Sequence, residues 1–236
     1  MSRIAVAIPA LQAGSSVGEV VRRTREIVSD VLVVDDGSSD ATADAARTAG
    51  ADVVRHEVNR GKGAALVTAF RTLFGRGFDA VVTVDADGQH LPEEIPVLLE
   101  AGAAGADLVL GTREHLFAEM VPARRIANRL SSWAISWAAG QPLADVQTGF
   151  RLYTRRLVEA TGFPEARFDA ESAVVVRASR LGFAIVTVPV RLGFADGRTT
   201  SHFRPLVDSV RIARSVARAR FGAGPVPFSG QAGVSW

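Results

Sequence analysis

The chain of 236 residues contains no cysteine. Disulfides, thiolate nucleophiles and cysteine-ligated zinc are therefore excluded. Lysine is nearly absent as well: Lys62 is the single one, and the other basic side chains are arginines. The four histidines are scattered, with no H-x-x-x-H pair, which speaks against a histidine-rich metal site. No run reaches the ~18 apolar residues that a membrane-spanning helix needs. The N-terminus reads directly into a strand and not into a secretory leader. A location in the cytoplasm is expected, with peripheral attachment to the inner face of the membrane open. Phosphate-cradling glycine motifs are missing too: no G-x-G-x-x-G follows the first strand, and G-x-x-x-x-G-K-[ST] does not occur. The formal charge is only +2, and no basic stripe is interleaved with aromatics, so nucleic acid is not an expected partner.

What is present is a folded, apolar-rich chain, 47% hydrophobic and 22% charged. Short β-rich runs alternate with helical segments. Strands are expected at Ile4–Ile8, Val31–Val34, Asp52–Arg55, Ala80–Val84, Leu108–Leu110 and Ala184–Val190. Helices are expected over Ser16–Ser29, from an Asp40 cap to Ala49, and over Gly61–Phe74, Pro92–Ala104, Ala123–Ala139, Asp169–Leu181 and Leu206–Phe221. Gly50 is placed to close its helix in a left-handed conformation. This alternation predicts an α/β domain with a mostly parallel, Rossmann-like sheet flanked by helices. One domain over residues 1–221 is expected, and the Gly/Pro/Ser-rich residues 222–236 are expected to be disordered.

The most informative segment is Ala80-Val81-Val82-Thr83-Val84-Asp85-Ala86-Asp87-Gly88-Gln89-His90. In extended backbone, residues two apart point the same way, so Asp85 and Asp87 can converge where the strand stops. Paired carboxylates with substrate phosphates suit a hard divalent cation, Mg²⁺ or Mn²⁺. By itself the pattern fits an ordinary strand-to-loop turn equally well. Two other loops share the expected ligand edge of the sheet: Asp35-Asp36-Gly37-Ser38 after the second strand, and Pro9-Ala10-Leu11 after the first. Asn59-Arg60-Gly61-Lys62-Gly63 precedes a helix, where free N–H groups and the helix dipole favour anions. It reads as a phosphate-seeking loop or as a solvated cap.

Taken in order, these motifs resemble family 2 glycosyltransferases, particularly the branch that charges dolichyl and polyprenyl phosphates. The similarity runs through Ile8-Pro9-Ala10, Val33–Ser38, Asn59–Ala64, Asp85–His90, Gly111-Thr112-Arg113, Gln147–Arg151, Phe168-Asp169-Ala170-Glu171 and Ser201–Pro205, over about residues 3–215. It implies a GT-A fold, a GDP- or UDP-linked sugar donor, a divalent metal and a polyprenyl phosphate acceptor. By resemblance the metal site comprises Asp85, Asp87 and Gln89, and the nucleoside pocket Pro9, Leu11, Asp36 and Ala86. Arg113 and one of Arg124 or Arg125 match positions that contact the donor diphosphate or acceptor phosphate, and Arg198 or His202 lies in a loop that closes on the donor. Asp145 matches the family's candidate base. Leu11-Gln12 departs from the family pattern after the first proline, so uracil and guanine both stay open. Arg198-Thr199-Thr200 stands where the closing loop usually has lysine.

The resemblance implies inversion by in-line displacement, with Asp87, Arg113 and Asp145 as the catalytic set. A soluble hydroxyl acceptor is the alternative, and there Asp145 would have to take a proton. A non-catalytic relative would be marked by a broken carboxylate pair, and here the pair is intact. Two features bear on the membrane. Trp133 and Trp137, at i and i+4 beside Leu130, read as core or as an exposed apolar lid. The last helix sets Arg211, Arg214 and Arg218 on one face and Leu206, Val210, Ala213 and Ala217 on another. It reads as a helix docked on its own domain or as a basic amphipathic helix on an anionic surface.

Overall fold

The structure is a computed structural model that describes residues 3–112, 122–143, 145–167, 169–193 and 205–222, without the side chains of 122–130 and 205–210. Among these residues the strands are β1 (Ile4–Ala10), β2 (Val31–Asp35), β3 (Asp52–Arg55), β4 (Ala80–Thr83), β5 (Leu108–Thr112), β6 (Arg151–Thr154) and β7 (Ile185–Pro189). They form one sheet in the order β3-β2-β1-β4-β6-β5-β7. All neighbours are parallel except β6, which runs antiparallel to both β4 and β5. The helices are α1 (Val17–Arg25), α2 (Thr42–Thr48), α3 (Lys62–Gly75), α4 (Ile95–Ala103), α5 (Pro122–Ala139), α6 (Arg155–Thr161), α7 (Asp169–Arg180) and α8 (Pro205–Phe221). This is the expected α/β, GT-A-like architecture.

The continuous apolar runs are strands covered on both faces, as the interior of a parallel sheet requires. All five residues of β2 are buried. Alternation along β1 feeds two cores: Ala5 and Ala7 face Leu66, Phe70 and Val174, while Val6 and Ile8 face Val17, Val20, Ile95 and Leu98. Helices α1, α2 and α4 thus cover one face, and α3, α5, α6, α7 and α8 cover the other.

The expected elements differ from the observed ones in three informative ways. The first helix stops at Arg25, because Ile27 and Val28 both donate to the Thr24 carbonyl and turn the chain. The segment from Pro92 opens as a 3₁₀ turn, Pro92–Glu94, before α4 begins; Pro96 has no N–H with which to continue one α-helix through that point. Asp40 does lie at the head of α2, where its carboxylate accepts the Thr42 N–H at 3.0 Å. Strand β6 and helix α6 were not expected. Gly50 has the left-handed φ of +92° that its position demands. The expected disorder of the C-terminal tail covers residues 222–236, of which 223–236 lie outside the described residues.

Candidate functional site

The ends of β1, β2 and β4 point to one edge of the sheet, and β6 begins at that edge because it is antiparallel. Asp85 leaves β4 toward Lys62, the first residue of α3, whose Nζ lies 2.8 Å from Asp85 Oδ1 and 3.0 Å from Glu171 Oε2 of α7. His90 Nε2 lies 3.5 Å from Asp85 Oδ2, and its ring stacks on Phe150 at 5.3 Å. Burial opposes charge on all of these groups. Even so, Lys62 and His90 hold the Asp85 carboxyl well below the usual carboxylate range. Against its own burial, Lys62 is held above the usual lysine range by Asp85 and Glu171.

The segment before β6 is shaped around this pair. A Cβ on Gly149 would overlap the Asp85 carboxylate, so only glycine lets the two strands' ends approach. Thr83 Oγ1 donates to the Gly149 carbonyl at 2.7 Å. Arg151 is fully buried and donates to three carbonyls: Thr148 at 2.7 Å, Val146 at 2.8 Å and Glu171 at 2.6 Å. Its planar, multi-donor head pins 146–148 to α7 in a way a lysine could not.

Asp87 is placed differently. It is half-buried, its Oδ1 accepts the Gln89 N–H at 3.0 Å, and burial together with the charge of Asp85 pushes its carboxyl up. Among the described residues no three His, Asp or Glu side chains are grouped to hold a metal by themselves. With Asp85 engaged by Lys62, the donor set is that of a small hard cation held by one or two carboxylates and completed by substrate phosphates. Asp87, the Gln89 amide and the rim of Asp85, whose side chain keeps 28% of its surface, fit that role.

Asp36 builds the loop over α3. Its carboxylate accepts from Arg60 N at 2.9 Å, Gly61 N at 2.7 Å and His56 Nδ1 at 2.7 Å, which ties the end of β2 to the start of α3. Gly61, at φ +99°, packs where a Cβ would lie 2.5 Å from the Ala166 carbonyl. Pro9 pairs with Val34 within the sheet, Leu11 is half-buried, and buried Ala86 accepts the Ser16 hydroxyl at 2.7 Å through its carbonyl. Gln12, at φ +53°, takes Ser38 Oγ with its N–H and Ser39 Oγ with its amide. Asp145 is buried at φ +42°, and its carbonyl accepts the Thr148 N–H.

The edge therefore gathers Asp85, Asp87, Gln89, Lys62, Asp36, Pro9, Leu11 and Ala86. Arg113, Arg198 and His202 lie outside the described residues, as do the side chains of Arg124 and Arg125. Glu171, His90 and Arg151 join the site although the sequence assigned them no role. All three end motifs that were legible, Phe168–Glu171, Asp85–His90 and Gln147–Arg151, and it is their convergence around Asp85 and Lys62 through space that no spacing reveals.

Residues 5–162 match the family model described as Glycosyl transferase family 2. The chain is 36% identical over 207 residues to the undecaprenyl-phosphate mannosyltransferase of Micrococcus luteus, covering 80% of this chain and 82% of that one. It is 33% identical over 208 residues to the polyprenol monophosphomannose synthase of Mycolicibacterium smegmatis, covering 80% and 76%. Among solved structures it resembles Mycobacterium tuberculosis glucosyl-3-phosphoglycerate synthase in complex with Mn²⁺, UDP-glucose and phosphoglyceric acid. That likeness has a TM-score of 0.68 and 25% identity, over 92% of this chain and 79% of that one.

Proposed function

The chain belongs to glycosyl transferase family 2, and from that premise we propose that it moves a sugar, with inversion, from a GDP- or UDP-linked donor to a polyprenyl phosphate at the inner face of the membrane. The observation that carries the chemistry is the split between two neighbouring carboxylates. Asp85 is paired with Lys62, which leaves Asp87 as the carboxylate available to a cation. The acceptor class is supported by the two relatives, whose names specify undecaprenyl phosphate and polyprenol phosphate.

Asp87 and Gln89, beside Asp85, would hold a Mg²⁺ or Mn²⁺ ion. When bound, such an ion supplies Lewis-acid stabilisation of the leaving diphosphate. The residues of the chain do the rest. Asp36 fixes the Arg60–Gly61 turn, and with it the start of α3 that places Lys62 beside Asp85. Pro9, Leu11 and Ala86 border the nucleoside side. Arg113, with Arg124 or Arg125, meets the diphosphate or the acceptor phosphate, and Arg198 or His202 closes over the donor. An ionised lipid phosphate attacks without losing a proton, so no base is required; a hydroxyl acceptor would need Asp145 as base.

The test is turnover with detergent-dispersed polyprenyl phosphate, Mn²⁺ and a panel of UDP- and GDP-sugars. The Asp145→Ala protein is expected to keep wild-type order activity on the lipid phosphate. A loss of ~10²–10⁴-fold, with no lipid glycosylated, would transfer the assignment to a soluble acceptor. That second reading has one observation in its favour, the phosphoglyceric acid bound in the related synthase.

A further inference from the structure

Helix α5 carries apolar side chains on its outward face as well as on its inward one. Ser132, Ile135 and Ala138 point into the protein, while Trp133 and Trp137 are 69% and 65% exposed, with exposed Ala134 between them. Phe221 at the end of α8 is 71% exposed and lies 6.5 Å from Trp137, ring to ring. Single exposed apolar residues are ordinary, but a contiguous cluster marks an interaction surface. Two of the three tryptophans of the chain are spent here.

The surroundings are cationic. Arg214, Arg218 and Phe221 share one stripe of α8 at i, i+4 and i+7, and Arg220 places its guanidinium 5.7 Å from the Phe221 ring. The described exposed positions of α8 carry arginine, alanine and this phenylalanine, and no carboxylate. The helix docks on the domain through Ile212, Ser215, Val216 and Ala219, so Ala213 and Ala217 are exposed and not part of the docked face expected from the sequence. No helix among the described residues is long and apolar enough to cross a membrane.

We propose that this shared face of α5 and α8 is a membrane-binding surface that seats Trp133, Trp137 and Phe221 among the headgroups of an anionic bilayer, with Arg214, Arg218 and Arg220 against its phosphates. Tryptophan, apolar in body with one N–H donor, suits that boundary. Arginines bury their stems while keeping their heads at the charged layer. A second copy of the chain fits poorly, because an isologous contact would set this arginine-rich patch against itself. The same helix reaches the site: Ser131 accepts from the Gln147 amide at 2.7 Å, Ser132 from Val146 N at 3.3 Å and Ser136 from Leu143 N at 3.0 Å. Docking α5 therefore brings Leu143, Val146 and Gln147, held by its inward face, within about one helix diameter of the lipid surface. Its value for acceptor capture rests on the lipid-phosphate reading, whereas the surface itself does not.

Flotation with vesicles of phosphatidylglycerol and phosphatidylcholine, free of polyprenyl phosphate, tests it. The full chain is expected to float with them and much less with phosphatidylcholine alone. Trp133→Ser with Trp137→Ser should weaken binding at least ~10-fold. Arg218→Glu with Arg220→Glu should remove the preference for anionic vesicles, since each basic residue near such a surface is worth roughly fivefold. Both variants should keep wild-type turnover of detergent-dispersed acceptor. A wild type that stays out of the floating fraction, or variants that float like it, would overturn the proposal. So would a dimer that the tryptophan variant turns into monomer, because the patch would then belong to a second copy. Flotation as expected with no glycosylation of polyprenyl phosphate keeps the surface and removes the acceptor reading.

Discussion

The strand-end edge and the α5–α8 face treat the same two problems in opposite ways. At the edge, charge is buried and matched inside the molecule: Lys62 meets Asp85 and Glu171, and Arg151 caps three carbonyls. On the α5–α8 face, apolar rings and Arg214, Arg218 and Arg220 are left outside, with no carboxylate among the described exposed residues of α8. A buried charge without a partner is too costly to persist, so the Lys62–Asp85–Glu171 cluster is matched within one chain. An exposed aromatic cluster carries no such internal penalty, so it can wait for something outside.

Breaking the inner arrangement should have the largest effect. Lys62→Met leaves Asp85 and Glu171 facing each other, and urea denaturation is expected to show a loss of about 3 kcal/mol, the lower end for a broken buried pair because Asp85 keeps some solvent contact. Trp133→Ser, the corresponding insult to the outer face, should change the same midpoint by no more than ~0.5 kcal/mol. Equal losses would erase the contrast.

Next is Asp87→Ala. Donor turnover should fall by at least ~10²-fold, the scale for losing one electrostatic stabiliser, with the denaturation midpoint retained. EDTA should mimic it. Full activity in the variant, or in EDTA, would remove the metal assignment.

Tyr153 sharpens the comparison from within, as a buried hydroxyl with no regular hydrogen bond among the described residues. Burial, partly offset by the charge of Arg151, pushes its phenol up to about 12. Because the folded value is raised, stability is complete below the unfolded value near 10 and is lost as pH climbs from there toward 12. The loss is about 2 kcal/mol at the top of that window. Tyr153→Phe should remove this alkaline component and, near neutral pH, stay within ~1 kcal/mol of wild type. Since this is the single tyrosine, tyrosinate absorbance reads its titration directly.

The parallel half of the fold was legible because β1, β2 and β4 are unbroken apolar runs, the last two ending in acidic loops, and their ranges hold to within a few residues. Strand β6 was not, because Arg-Leu-Tyr-Thr is four residues long and opens with an arginine, a residue that reads as surface until three carbonyls are found around it. For α5, the i, i+4 tryptophans fit either face equally. The inward Ser131, Ser132 and Ser136 hold a loop, and the purpose of a polar residue facing inward shows only when its partner is in view. Asp85 and Asp87 could be picked out as a pair, yet their division of roles depends on Lys62, 23 positions earlier by the numbering.

The reversed direction of β6 has a consequence for how such a molecule can diversify. Strand β5 runs out at the ligand edge with Thr112, and β6 starts from that same edge with Arg151, the two being hydrogen-bonded neighbours. The chain between them, tethered at both ends, leaves and returns at the edge where the candidate site lies. Length and composition there can drift from one descendant to another without moving the carboxylates at the end of β4, because the tethers are clamped by Gly149 and Arg151. Under the proposed function, a new acceptor would need only that one stretch rewritten, while the strand ends that carry Asp36, Asp85 and Asp87 keep the donor side.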